Sequence, residues 1–341
     1  SLSFKLNPGA SYVTDRRSVS YFVAGSNEYQ AGSGARVIRI NLTGDGWLDP
    51  STVRLVYTLV NTDCTSAKLL RVLGGPWSFF RRARCLVGGA IIDDVDYYNR
   101  VHEMLHVLTS INNRLNDDSE GFGTRWDGAQ AYGSWKTKLG GISGGNTNNS
   151  RTVSFKPLFG ILNQPKYIPL AWCPIQMEFE IINNATDAIA STITSGAFTD
   201  ADTSTSWKIM DVRVVCDVVT LDSVLQNSYA EIVLSGRSLP INYTTYISQF
   251  QTLTSADFAI NVSRSVSRLK TVFITFDKPL TEVIDTNGNS LVRKNFNSFL
   301  HPMFDPTSTS ASNSNYQKEL QWKIQIGSKM FPEYPVRSLA E

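Results

Sequence analysis

Residues 207–219 read WKIMDVRVVCDVV, apolar side chains interleaved with Lys, Asp and Arg at the two-residue period of a β-strand with one buried face. Runs of the same kind precede it at 36–42 (RVIRINL), 53–60 (VRLVYTLV), 68–73, 84–92 and 175–182 (IQMEFEII). Others follow at 241–247, 258–262, 269–276 (LKTVFITF) and 320–326 (LQWKIQI), again bounded by Gly, Pro, Asn and Asp. Strands this numerous, with few helices between them, predict antiparallel sandwiches or barrels rather than a parallel α/β sheet.

Two segments carry a helical period instead. Val101, Met104, Leu105, Leu108, Ile111 and Leu115 form one apolar stripe along a helix predicted over 97–115. Asp93, Asp94 and Asp96 stand at its expected start, where carboxylates suit the positive end of the helix dipole and cap free N–H groups; a cation site ranks below that reading. The second helix, 221–234 (LDSVLQNSYAEIVL), has Asp222 as N-cap and Gly236 as its stop, and is expected to link two β units. Three loops are long: 116–150, 183–206 and 302–316. Trp126, Tyr132 and Trp135 lie in the Gly-rich first loop, so it should pack on something, either its own domain or a neighbouring subunit.

The 341 residues fit two similar units or one large β architecture. Lys and Arg number 32 against 30 Asp and Glu, a net charge of +2, which argues against a chain that works by neutralising DNA phosphates or lying on an anionic membrane. Charged residues make 18% of the chain, below the usual ~25%, while Ser, Thr and Asn abound, as in β-rich folds with polar loops. No apolar run is long enough for a transmembrane segment. The start lacks both Met and a signal-peptide core, which reads as a trimmed or processed N-terminus of a soluble chain. Cys64, Cys85, Cys173 and Cys216 form no CxxC pair, so buried free thiols are expected rather than a zinc ribbon or disulfide scaffold. The Asn-x-Ser/Thr sequons carry little weight in so Asn-, Ser- and Thr-rich a chain.

The most specific chemical motif is His102-Glu103-Met104-Leu105-His106, an H-E-x-x-H on the predicted helix. His102 and His106 would ligate zinc, with Glu103 as general base. A third ligand is hard to find: Thr109 and Asn112 stand where the metzincin extension wants Gly and His, His301 is the only other histidine, and Glu120 lies in a loop. The apolar stripe leaves both histidines on its flank, so the zinc metalloprotease is the least favoured alternative. The run Phe79-Phe80-Arg81-Arg82-Ala83-Arg84 has the ingredients of single-strand binding, yet on a neutral chain a solvated strand edge or salt-bridged contact is the better reading. The glycine pairs at 74–75, 88–89, 140–141 and 144–145 form no nucleotide loop, and no G-x-S-x-G elbow occurs.

Three strings carry a resemblance: 84–108 (RCLVGGAIIDDVDYYNRVHEMLHVL), 167–182 (YIPLAWCPIQMEFEII) and 324–341 (IQIGSKMFPEYPVRSLAE). They resemble the hexon-type major capsid proteins of adintoviruses and related polinton-like DNA viruses, strongly over about a fifth of the chain and elsewhere by strand order. The resemblance implies an all-β double jelly roll with a few short helices: a first jelly roll over 1–220 with an inserted loop at 116–150, a helical linker at 221–237 and a second jelly roll over 238–341. So short a second unit is expected to be incomplete, the native chain continuing or other material completing it. The resemblance further implies a homotrimer that tiles an icosahedral shell in the virion, with neighbouring capsomers and penton and minor capsid proteins as partners. It implies no catalytic residue, no cofactor, no metal and no specific nucleic-acid binding. Subunit contacts are expected at Trp126, Tyr132, Trp135, Phe331, Tyr334 and Arg337. The runner-up class is a jelly-roll glycan-binding or attachment module. Replacing Trp126 and Trp135 by Ala should weaken the trimer in sedimentation velocity, and unchanged assembly would remove the 116–150 loop from the interface; the zinc reading instead expects stoichiometric metal and loss of activity in Glu103→Gln.

Overall fold

Eight strands carry the fold: β1 (Val13–Phe22), β2 (Val37–Leu42), β3 (Arg54–Asn61), β4 (Phe80–Val87), β5 (Ala90–Val95), β6 (Ser150–Phe155), β7 (Ile175–Ile181) and β8 (Trp207–Leu221). The computed structural model describes residues 12–110, 141–276 and 321–336, apart from positions 33, 73, 146, 190–192, 195–196, 199–202 and 256. The strands pair antiparallel into two sheets, ordered β1-β8-β3-β6 and β2-β7-β4-β5. Two-residue strands at Glu28–Tyr29, Trp47–Leu48 and Ile168–Pro169 extend the first sheet. With the first strand lying beside the last and the chain crossing repeatedly between sheets, this is the eight-stranded order of a jelly roll.

The period-two runs form these strands because each presents one apolar face. In β2, Ile38, Ile40 and Leu42 are fully buried while Val37, Arg39 and Asn41 are exposed. β8 keeps its inward row only by a bulge. The register slips between Met210 and Arg213, and Asp211 takes φ 53°, so that Ile209 and Val212 both point into the core. Between the sheets lies an aromatic cluster. Phe80 of β4 stands edge-on to Tyr57 of β3 at 5.7 Å and contacts Phe155 of β6 at 5.9 Å and Phe179 of β7 at 5.4 Å. The buried Tyr57 hydroxyl donates to the Pro76 carbonyl at 2.6 Å.

Several expectations need correction. The run at 84–92 is not one strand. Gly88 and Gly89, at φ 58° and 85°, make the two-residue turn that folds β4 back on β5, with Val87 opposite Ala90. Asp93 and Asp94 consequently belong to β5 and do not cap this helix. The helix α1 (Tyr98–Val107) starts after Tyr97 without a side-chain cap, and the Asp96 carboxylate accepts from the Tyr97 N–H at 3.0 Å. Among the described residues the runs at 241–247, 258–262 and 269–276 join no ladder, and alternation makes a strand only where another edge supplies hydrogen bonds. Of the thiols, Cys85 and Cys216 are buried, but Cys173 is half-buried and Cys64 exposed.

The second helix, α2 (Ser223–Leu234), forms as read. Asp222 accepts from the Val224 N–H at 3.0 Å, and Gly236 follows the end at φ 78°. Over 238–341 the described residues comprise the stretch to 276 and a hairpin of β9 (Trp322–Ile326) and β10 (Lys329–Val336). No helix of the described residues is long and apolar enough to cross a membrane. Phe179→Ala, opening a cavity between the sheets, should cost about 3–5 kcal/mol in urea unfolding, whereas Ile91→Ala, at a side chain 54% exposed, should stay within about 0.5 kcal/mol.

Candidate assembly surface

The H-E-x-x-H side chains are packed into a joint between α1 and the short 3-10 turn Pro76–Phe79. The His102 ring lies flat on the Trp77 indole at 4.1 Å and edge-on to Phe155, and His106 tilts against the same indole at 4.8 Å. Glu103 is buried and its Oε2 accepts from Trp77 Nε1 at 2.9 Å. Gly74 and Gly75 permit this contact: a Cβ on the first, at φ 99°, would strike the Glu103 carboxylate, and one on the second would strike the indole. Desolvation pushes His102 down to about 3, so the imidazole is neutral, with Nδ1 buried and unbonded and Nε2 3.4 Å from the Lys156 carbonyl. Among the described residues no group of three or more His, Cys, Asp or Glu side chains is placed to hold a metal ion.

The arginines of the 79–84 run each meet a carboxylate on the outer face of the second sheet. Arg82 forms a two-pronged pair with Asp94 at 2.8 and 2.6 Å, which holds Asp94 below its ordinary value. Arg84 and Arg39, from the strands flanking β7, both reach Glu178 at 2.8 Å. Arg81 lies 3.8 Å from Asp96 and 5.6 Å from the Tyr97 ring centre. Register explains the pattern, since Glu178 stands directly opposite both Arg39 and Arg84. Positive charge that could meet phosphate is thus spent within the sheet.

The apolar surface lies elsewhere. Between 243 and 274 the chain exposes Ile247, Phe250, Phe258, Val262, Leu269, Phe273 and Ile274 to between 42% and 62%. On α2, Leu225 and Tyr229 pack against Trp47, Val219 and Leu221, but no residue of the helix is buried and Val224 and Leu234 are 75% and 85% exposed. Of the contact residues expected from the sequence, Phe331 and Tyr334 lie on β10, 47% and 82% exposed. Trp126, Tyr132, Trp135 and Arg337 lie outside the described residues. What the sequence missed is that apolar residues of the expected strands at 241–247, 258–262 and 269–276, whose alternation suggested a buried face, stand half-exposed.

No protein-family model and no curated protein matches the sequence. Among solved structures, the chain is similar to VP54 of PBCV-1, as fitted into a reconstruction of the virophage Sputnik, with TM-score 0.43 and 15% identity over 67% of this chain and 48% of that one. It is similar also to a Sputnik virophage chain, with TM-score 0.41 and 11% identity over 65% and 52%, and to the mavirus major capsid protein, with TM-score 0.35 and 12% identity over 66% and 50%. The chain spans about half the length of these proteins.

The state of His102 has a measurable consequence. The unfolded chain takes up its proton near the ordinary value of 6.5, the folded chain only near 3, so acid favours unfolding across that window. His102→Phe retains a ring on Trp77 without the proton site; relative to wild type it should gain stability as pH falls below about 6.5, by up to about 1.4 kcal/mol per unit, in denaturant unfolding followed at several pH values.

Proposed function

We propose that the chain is a subunit of a viral capsid, a structural protein without catalysis that assembles as a homotrimer and tiles an icosahedral shell. The observation that carries this is the contrast between a jelly roll with a complete core and the half-exposed apolar row that follows it. Tyr57, Phe80, Phe155 and Phe179 have no exposure at all, while Phe250, Phe258, Leu269 and Phe273 from the same chain stand between 42% and 53% exposed. Half-exposed apolar side chains in this number, in a protein with a finished core, are what subunit association covers. A second copy of the chain is the occupant we assign to it, in keeping with the hexon-type resemblance of the three strings at 84–108, 167–182 and 324–341.

Other features support the reading. The paired arginines of the second sheet and the low overall charge leave little for a nucleic-acid ligand, so association would rest mainly on apolar burial. The joint around Trp77 uses His102, Glu103 and His106 as packing and hydrogen-bonding groups, in line with a non-enzymatic role. The virion is then the site of action, 238–341 contributes to the second jelly roll, and neighbouring capsomers, penton and minor capsid proteins are the remaining partners. Phe331 and Tyr334 project from an exposed hairpin suited to a subunit contact.

Native mass spectrometry tests this in one spectrum. The expected species has three times the 37.8 kDa chain mass and carries no zinc; a monomer with one bound zinc would replace the capsid reading with the hydrolase, and a monomer or dimer that binds glycan would replace it with the attachment module. Phe331→Ala with Tyr334→Ala should shift the trimer towards monomer at micromolar concentration, and full retention of the trimer would take β10 out of the interface.

A further inference from the structure

Residues 240–250 form a strap pinned across one corner of the jelly roll. Lys166 Nζ donates to the Pro240 carbonyl at 2.7 Å. Ile241 and Tyr246 pack on the main core. The Thr244 carbonyl lies so close to Gly160 that any Cβ there would strike it. Ser248 Oγ donates to the Asp96 carbonyl, and the Phe250 ring stacks on Tyr97 at 4.9 Å. The strap thus bridges the end of β5, the start of α1 and the 3-10 turn Gly160–Asn163.

Asp93 sits in the same corner, 2% exposed. Its Oδ2 accepts from the Gly160 N–H at 2.7 Å, and Oδ1 has no hydrogen-bond partner among the described residues. A buried carboxylate with one bare oxygen is an arrangement that suits the neutral acid better than the anion. We propose that Asp93 is the proton sensor of this strap, which closes over the neutral acid and loosens when the carboxyl ionises.

The surroundings leave the proton under the control of burial. Cys85 of β4 stands opposite Asp93 in register, and Tyr243 comes from the strap; both are pushed up and neutral, and the turn contributes only backbone N–H groups. Arg82 and Arg264 act on Asp94, the next residue, on the other face of β5. Among the described residues no charged side chain acts on Asp93, and desolvation raises it from 3.8 to about 6, against the pull of the turn's N–H groups. The sign follows. Lifting the strap rehydrates the carboxyl and returns it towards its ordinary value. The closed form's advantage is therefore full below about 3.8 and is lost as pH rises through about 6, so acid closes the strap and neutral solution loosens it.

Hydrogen–deuterium exchange on the full chain tests this, with rates corrected for intrinsic pH dependence and a β8 peptide as reference. Between about pH 5 and about pH 7.5 the opening of 241–250 should increase about tenfold in wild type. Asp93→Asn should abolish that ratio. Ser248→Ala, which cuts a pin without touching Asp93, should raise opening at both pH values and leave the ratio intact. A flat wild-type response, or a ratio that persists in Asp93→Asn, overturns the proposal; should Asp93→Asn fail to fold, the wild-type ratio and Ser248→Ala decide it.

Discussion

Everything between residues 13 and 221 depends on β8 taking its place between β1 and β3. Val19 of the first strand pairs with Cys216 of the last, and Leu59 with Ile209, so the first sheet cannot close until nearly two hundred residues of chain have been gathered. Such long-range pairing costs loop-closure entropy before any contact repays it, and the repayment comes from the apolar row that β8 turns inward. Trp207, Ile209, Val212, Val214, Cys216 and Val218 are all buried, and the bulge at Asp211 is what keeps the first two in line with the rest. Without β8 the inner face of β3 would remain, but β1 would be a free strand with a mostly exposed side-chain pattern and no ladder.

The second sheet is stabilised differently on its two faces. Inward, Phe179 and Phe80 meet the aromatic side chains of the first sheet and of the turn that contains Phe159. Outward, the few charges the chain possesses are arranged as cross-strand pairs, with Glu178 between Arg39 and Arg84 and Arg82 clamped to Asp94. The same economy marks the joint at Trp77, where one indole supports two imidazoles and donates to a buried carboxylate. Motif and packing coincide there: a spacing that would serve zinc also places His102, Glu103 and His106 around a tryptophan.

The chain changes character after β8. Its helix caps itself, but it lies on the jelly roll through only Leu225 and Tyr229, and the stretch beyond is anchored at the 240–250 strap while its later apolar residues face outwards. A segment pinned at one end and apolar along the rest is suited to meeting further protein, and the strap's close approach to Gly160, whose N–H bonds Asp93, places that segment beside a buried carboxyl.

Local pattern determined a good deal here. The two-residue period identified β2, β3, β7 and β8 within one or two residues, because a half-buried strand needs that period, and Asp222 with Gly236 marked the second helix, because those residues satisfy its ends. Tertiary structure decided the rest. Which strands pair, and that their order is that of a jelly roll, follows from inter-sheet packing that no local period encodes. The alternating runs at 241–247, 258–262 and 269–276 had the right period and became no ladder among the described residues, whereas the run at 320–326 found its partner in β10, since a strand is defined by its partner. Asp93 read as a capping carboxylate of the helix that follows it and is a buried group of β5, because the Gly88-Gly89 turn puts it in a strand and its partner, the Gly160 N–H, comes from 67 positions along the chain.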